Sequence, residues 1–327
     1  MISMKMLSSL CRLTRVSHVL SPRSSTRLFG CQGAPSPAGL LDPLLSAEDL
    51  VTKTDDVKFV DASWFLPGVE RDTNAEYVEE RISGALRFDF DALSDVSSPL
   101  PHMLPPVSLF NEWARDNGLL PEQPIVVYTS KDSFSSPRVW WTFKVFGHHN
   151  VSILNGGLEA WKKAGGAIES GAPTPPPSRT DYTSPGMNKR LVVDSEQVMK
   201  VMTTGSAQIC DARPAPRFEG AVDEPRPGLA RGHIPGSLNV PFGGLLAEDD
   251  KTTFIPPINI RAKMTKAGVI PGSKVIMTCG SGVTACTLAF GMVLLGQRIE
   301  DVPIYDGSWA DWGRPEAEEL PKMIVDK

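Results

Sequence analysis

Cys279, Gly280, Ser281 and Gly282 stand in a row near the C-terminal end of the chain. Before them runs the apolar stretch 275–277, and after them Val283, Thr287, Phe290 and Leu294 recur at helical spacing. A thiol at a strand-to-helix junction between two glycines has the make-up of a nucleophile. The glycines let the backbone curl so that N–H groups can face the sulfur, and the following helix adds the positive end of its dipole. Both effects favour the thiolate. In an open α/β sheet such a loop lies at the carboxyl end of a strand, where these folds bind ligands. The same residues also suit a small buried cysteine packed in a turn, since free cysteine is among the most buried residue types. Spacing alone leaves both readings open.

The other cysteines point to no competing chemistry. Cys11 and Cys31 fall in the N-terminal leader; Cys210 precedes Asp211 in a strand pattern and Cys286 follows on an apolar helix, so both read as packing. The three scattered thiols of the body, Cys210, Cys279 and Cys286, make neither a disulfide framework nor a zinc site with paired spacing, and they suit a reducing compartment. His148 and His149 are adjacent, which prevents chelation from one helix face, and read as structural. No metal and no organic cofactor is expected.

The elements that must position Cys279 are written twice. FVDASW (59–64), RISGALRFDF (81–90), PIVVYTS (124–130) and VSILNGGLEAW (151–161) recur in order as QICDAR (208–213), GHIPGSLNVPF (232–242), KVIMTCG (274–280) and VPIYDGSWADW (302–312). Asp61 and Asp211, Thr129 and Thr278, and Gly156 and Gly307 are then matching positions, 149 to 151 residues apart. Short β-branched runs alternate with helix-like stretches in each half. That predicts an α/β fold of two tandem domains, each a mostly parallel sheet flanked by helices on both faces. The domains are expected at 45–165 and 189–317, joined by a Pro-rich linker at 166–188 whose composition forbids a regular element, and followed by a tail at 318–327.

Residues 1–40 hold Lys5, Arg12, Arg15, Arg23 and Arg27 among serines and leucines, with no acidic residue before Asp42. That is the make-up of a transit peptide, and it predicts the mitochondrial matrix. Without those five charges the body carries 28 basic against 38 acidic residues, a net charge of −10, which disfavours nucleic acid. The run 288–296 is too short to span a membrane.

CGSGVTA, SSPLPHMLP (97–105), SPRVWWTFKVFGHH (136–149), EPRPG (224–228), GHIPGS (232–237) and DVPIYDGSW (301–309), set in paired halves, closely resemble the 3-mercaptopyruvate sulfurtransferases, two-domain enzymes of the rhodanese superfamily. The resemblance spans roughly residues 45–315. It implies that Cys279 is the nucleophile, taking sulfur from 3-mercaptopyruvate as a persulfide and passing it to thioredoxin, a small thiol or cyanide. It also implies that Ser281, His102 and Asp91 form a proton relay, and that Arg217 and Arg226 hold the substrate beside Gly280, Gly282, Val283 and Thr284. The chemistry asks for such groups on its own account. A 2-oxo acid suits bidentate guanidinium donors, and a developing enolate needs donors and a mobile proton. With His102 and Asp91 in one half and Cys279 and Ser281 in the other, the site is expected between domains.

Each of these residues also has a plainer reading. His102 suits a loop, Asp91 a helix cap, Arg226 a surface pair with Asp223 or Glu224, and Arg217 a pair with Glu219. The first half places Ser130 opposite Cys279, and is expected to have lost the chemistry. Three other activities fit less well. Thiosulfate sulfurtransferases carry basic residues after the cysteine, where Gly280 and Ser281 are uncharged. Cysteine phosphatases of this fold need an arginine where Ala285 stands. A non-catalytic sulfur-carrier module would not need Ser281, His102 and Asp91 together.

Overall fold

The structure, a computed structural model, describes residues 42–53, 57–66, 68–175 and 178–323. The predicted leader at 1–40 lies outside them. In the first half the elements run β1 (Leu44–Leu45), α1 (Ala47–Leu50), β2 (Lys58–Asp61), α2 (Thr73–Glu79), β3 (Arg81–Ile82), β4 (Leu86–Arg87), α3 (Val107–Asp116), β5 (Ile125–Tyr128), α4 (Ser136–Val145), β6 (Val151–Leu154), α5 (Gly157–Lys163) and β7 (Ile168–Glu169). The second half holds β8 (Val192–Val193), α6 (Ser195–Thr204), β9 (Gln208–Asp211), α7 (Ala215–Phe218), β10 (Leu238–Asn239), α8 (Pro257–Lys266), β11 (Val275–Thr278), α9 (Ala285–Leu294), β12 (Ile304–Tyr305) and α10 (Ser308–Trp312).

Each half builds one five-stranded sheet, and every pairing in both is parallel. The strand orders are β1-β6-β5-β2-β4 and β8-β12-β11-β9-β10, the same path laid down twice. β5 (IVVY) and β11 (VIMT) are buried along their whole length, as central strands covered on both faces must be. The register then fixes the equivalence of positions. Asp61 stands opposite Tyr128 and Asp211 opposite Thr278.

One apolar core runs through both halves. The helices that follow the two central strands, α4 and α9, meet across it, with the Trp140 and Phe290 rings edge to face at 4.8 Å. α9 is buried all round its first eight residues. Polar ties join the same surfaces: Asn155 Oδ1 accepts the Phe254 amide at 2.8 Å, and Asp306 Oδ2 accepts the Leu104 amide at 2.9 Å.

Two sequence expectations need correcting. The 166–188 stretch does hold a regular element, β7, paired antiparallel with β3. Ile168 packs on the apolar cluster around Trp161, and buried Arg81 binds Glu169 at 2.8 Å, so burial and charge override a proline-rich composition. Further along, Tyr182 enters the main core and its carbonyl accepts from Arg115. The final segment also packs: Leu320 is buried, and Met323 bridges to His233. His148 is buried among Tyr182 Oη and the Gln123 carbonyl, which agrees with its structural reading. No helix among the described residues is long and apolar enough to cross a membrane.

Candidate active site

Cys279 follows β11 directly and the loop to α9 is fixed from behind. Ser308, at the start of α10, has φ of 51°, a left-handed conformation that costs a non-glycine residue about 1 kcal/mol or more. Its Oγ accepts the amides of both Cys279 and Gly282 at 3.1 Å and donates to the Tyr305 carbonyl. The Trp309 and Ala310 amides in turn donate to the Cys279 and Gly280 carbonyls. The expected set of amides around the sulfur is therefore divided: those of Cys279 and Gly282 are held by Ser308, and those of Gly280, Ser281, Val283 and Thr284 have no protein acceptor.

Gly282 has φ of +75°, and a Cβ there would lie within 2.8 Å of Arg138 Nη1 and of Asp306. Glycine is required because a guanidinium from the other half reaches this point. Arg138, on α4, is almost fully buried and donates to Asp306 Oδ1 at 2.5 Å, to the Gly282 carbonyl at 3.3 Å and to the His102 carbonyl at 2.6 Å. Burial alone would weaken its hold on the proton, but the Asp306 carboxylate together with the nearby Cys286 and Cys279 offsets that and raises its pKa. One side chain thus ties the cysteine loop, the histidine loop and the domain interface together.

In front of the loop lies a cavity of about 240 Å³. Trp64, Leu66 and Phe134 of the first half form one wall, and Cys279, Gly280, Ser281, Val283 and Thr284 face Arg213, Arg217 and Arg226 of the second. Cys279 is only 2 % exposed yet lines this space. Ser281 also lines it. Arg213 binds Asp211 through two nitrogens and Glu224 Oε1 at 2.8 Å. Arg217 binds the other oxygen of Glu224, not Glu219. Asp223 is taken by Arg231, so Arg226 has no carboxylate partner and is not the surface pair its neighbours suggested. Burial, together with repulsion from Arg217, lowers its pKa.

Arg226 Nη2 meets His102 Nε2 at 2.9 Å. A guanidinium can only donate, so Nε2 must accept and the imidazole proton sits on Nδ1, which faces Asp91 Oδ1 at 3.5 Å. Asp91, rather than capping a helix, also receives Trp64 Nε1 at 3.2 Å; first His102 and then Trp64 hold its carboxyl below the usual range. His102 itself is stacked on Phe90, with a left-handed φ of 60°. The structure thus brings Asp91, His102 and Arg226 into one chain. It makes no hydrogen bond between Ser281 and His102, because Arg226 occupies the nitrogen a relay would use.

The register corrects the matching position in the first half. The Ala62 amide donates to Tyr128 O as Ala212 does to Thr278 O, and Leu158 donates to Thr129 O as Trp309 does to Cys279 O. Thr129, not Ser130, is the counterpart of Cys279, and Thr278 pairs with Tyr128. A one-residue slip in matching YTS to TCG caused the error, since both stretches contain a threonine. Cys210 and Cys286 are fully buried and burial raises both thiol pKa values, in keeping with packing roles.

Sequence reasoning assigned no role to Arg138, Asp306 or Ser308, and saw Glu224 only as a surface partner for Arg226. All four lie in quoted motifs, SPRVWW, EPRPG and DVPIYDGSW. The signal was there, but buried partners for a charge are visible only in three dimensions.

A Rhodanese-like domain model matches residues 46–164 and again 194–315. The human 3-mercaptopyruvate sulfurtransferase is 39% identical over 265 residues, covering 80% of this chain and 87% of that protein. A thiosulfate/3-mercaptopyruvate sulfurtransferase from Arabidopsis thaliana, described as mitochondrial, is 35% identical over 313 residues, covering 88% and 82%. SseA from Escherichia coli, solved as an example of the rhodanese fold of 3-mercaptopyruvate sulfotransferases, superposes with a TM-score of 0.72 at 36% identity, covering 82% of this chain and 99% of that one.

Proposed function

This chain belongs to the rhodanese-like family, and from that premise we propose that it is a sulfurtransferase that takes sulfur from 3-mercaptopyruvate on Cys279 and delivers it to a thiol or cyanide. The observation that carries the donor is the cavity itself: the position after Cys279 is an uncharged glycine, and the cation free of any carboxylate is Arg226. One unpaired guanidinium fits a monocarboxylate, whereas thiosulfate brings two negative charges.

In this reading the Cys279 thiolate attacks the donor sulfur. An S–S bond forms as the C–S bond breaks, and the bonding pair leaves on carbon as the pyruvate enolate. The donor's thiol proton ends on that carbon, so the products are pyruvate and the Cys279 persulfide. Amides of the loop not held by Ser308, with Ser281, are the donors available to the developing charge. Arg226 can turn from His102 to the carboxylate, which frees Nε2 for the Ser281 hydroxyl; Asp91 keeps the imidazole in the tautomer required. An acceptor thiol, such as that of thioredoxin, then attacks the outer sulfur and restores Cys279. The Arg- and Ser-rich leader and the mitochondrial designation of the Arabidopsis relative support action in the mitochondrial matrix.

Mass spectrometry after incubation with 3-mercaptopyruvate should find one added sulfur, on Cys279, and kinetics should show higher kcat/KM for 3-mercaptopyruvate than for thiosulfate. An unmodified Cys279, or equal turnover of the two donors, would overturn the reading.

A further inference from the structure

Glu224 is a carboxylate with side-chain exposure of 1%, held between two of the three arginines that line the cavity. Its two oxygens are divided: Oε1 takes Arg213 Nη1 and Arg217 Nε, and Oε2 takes Arg217 Nη2. Arg213 has a second partner in Asp211, so removing Glu224 would leave Arg213 paired and Arg217 free. Three guanidinium groups against these two carboxylates leave one net positive charge facing the donor. Glu224 also places that second guanidinium. Arg217 Nη2 lies 3.0 Å from where a Gly280 Cβ would be, against the cysteine loop, in the space that a side chain after the cysteine would otherwise fill.

We propose that Glu224 is a specificity-determining residue of the cavity: by neutralising Arg217 beside Gly280 it keeps the donor site at one net positive charge and so selects singly over doubly charged sulfur donors. The inference rests on the reading of this cavity as the donor site. Besides the uncharged Gly280, discrimination then rests on a cation beside that position, Arg217, already satisfied from within. Glu224 is shielded from water and Arg217 is only 20% exposed, so the cancelled charge acts at an effective dielectric below that of bulk water, where one unit at a few ångströms changes anion affinity severalfold.

The test compares kcat/KM for thiosulfate and 3-mercaptopyruvate, with cyanide as acceptor, and inhibition by sulfate and by acetate, across the wild type and three variants. Glu224→Gln should raise the thiosulfate to mercaptopyruvate ratio about tenfold and tighten sulfate relative to acetate. Adding Arg217→Met to Glu224→Gln removes the freed cation and should return both ratios toward the wild type. Glu224→Asp keeps the charge but shortens the reach, and should raise KM for both donors while holding the ratio. An unchanged ratio in Glu224→Gln, a ratio that moves in Glu224→Asp, or a double variant that keeps the altered ratio would each overturn the inference. If Glu224→Gln does not fold, the aspartate variant and the anion inhibition decide alone. A wild type that prefers thiosulfate would instead overturn the donor reading and leave the comparison between variants intact.

Discussion

The two halves share a strand order and a register, and they treat the turn after the central strand in opposite ways. In the second half that turn carries Cys279, and Ser308 accepts its amide. In the first half the counterparts are Thr129, whose hydroxyl is spent on the Ser133 carbonyl, and Gly157. Gly157 has φ of 55° and Ser308 has 51°, so the backbone makes the same left-handed step in both. Glycine makes it without strain, and serine accepts strain because its hydroxyl holds the loop. The cavities differ in sign as well. Beside Ser130 a space of about 520 Å³ is lined by Asp61, Glu76, Glu79, Glu80 and Glu159, and its Arg71 is already bound by Glu76 at 2.6 Å. These five acidic side chains outnumber Arg71 and Lys131 there, which disfavours an anionic donor. What the first half supplies instead is Arg138, His102 and Asp91, directed at its partner's loop. The two copies have thus diverged: one carries the thiol, and the other contributes Arg138, which ties down its loop, and the His102–Asp91 pair that meets Arg226.

The strongest way to break that division is to move the thiol. Cys279→Ser should lower sulfur transfer by about a thousandfold or more and abolish persulfide formation by mass spectrometry, whereas Thr129→Ala should leave both close to the wild type. Loss of transfer in Thr129→Ala at unchanged stability would show that the first half retains chemistry of its own.

The next largest effect concerns the tie between copies. Arg138→Met leaves the Asp306 carboxylate buried without its cation, which costs about 3–5 kcal/mol. Denaturant unfolding should show a midpoint lowered accordingly. The Arg138→Met/Asp306→Asn pair should lose less than the sum of the two single losses, since no uncompensated charge remains. Additive losses would mean that the two side chains do not act as a pair.

Reciprocal exchange at the left-handed step sharpens the comparison further. Ser308→Gly relieves strain worth about 1 kcal/mol but leaves two amides unsatisfied at about 1 kcal/mol or more each, so stability should fall slightly while kcat falls about tenfold. Gly157→Ser should be the more damaging to folding, because a Cβ there would sit 2.2 Å from the Thr129 carbonyl oxygen. Equal tolerance of both exchanges, read by thermal unfolding, would undo the equivalence of the two turns.

Much of this arrangement was legible in the chain. The repeated order of motifs carries the two parallel sheets, and the apolar run before Cys279 with helical spacing after it places that thiol at a strand end. What was not legible has physical causes. A proline-rich stretch hid β7, because Ile168 and Glu169 gain their partners only from residues some 85 positions earlier, Ile82 and Arg81. The slip between Ser130 and Thr129 arose because loops tolerate insertion whereas register does not, and only the ladder between β2 and β5 sets the count. Arg217 looked poised to pair with Glu219 two residues on; it chose Glu224, since the turn after α7 brings that carboxylate back between two arginines. Local sequence names the charges, and the fold decides which of them are cancelled.

The smallest expected effect separates Asp91 from the buried carboxylates around it. His102 and Trp64 hold its pKa below the usual 3.8, so its contribution to stability is fully present above that value and is lost as pH falls through the lower, folded one. Its side chain is 68% exposed, and water screens the interaction to on the order of 0.5 kcal/mol. Thermal unfolding of the wild type and of Asp91→Asn at pH 7 should therefore differ by only a degree or two, and the gap should narrow as pH falls below 3.8. Activity should respond more than stability. Asparagine can turn its amide toward Nδ1 and favour the tautomer with the proton on Nε2, the nitrogen that must accept from Arg226 or Ser281. A gap in melting temperature that does not narrow as pH falls below 3.8 would mean that packing on Trp64, and not the charge facing His102, is what Asp91 contributes.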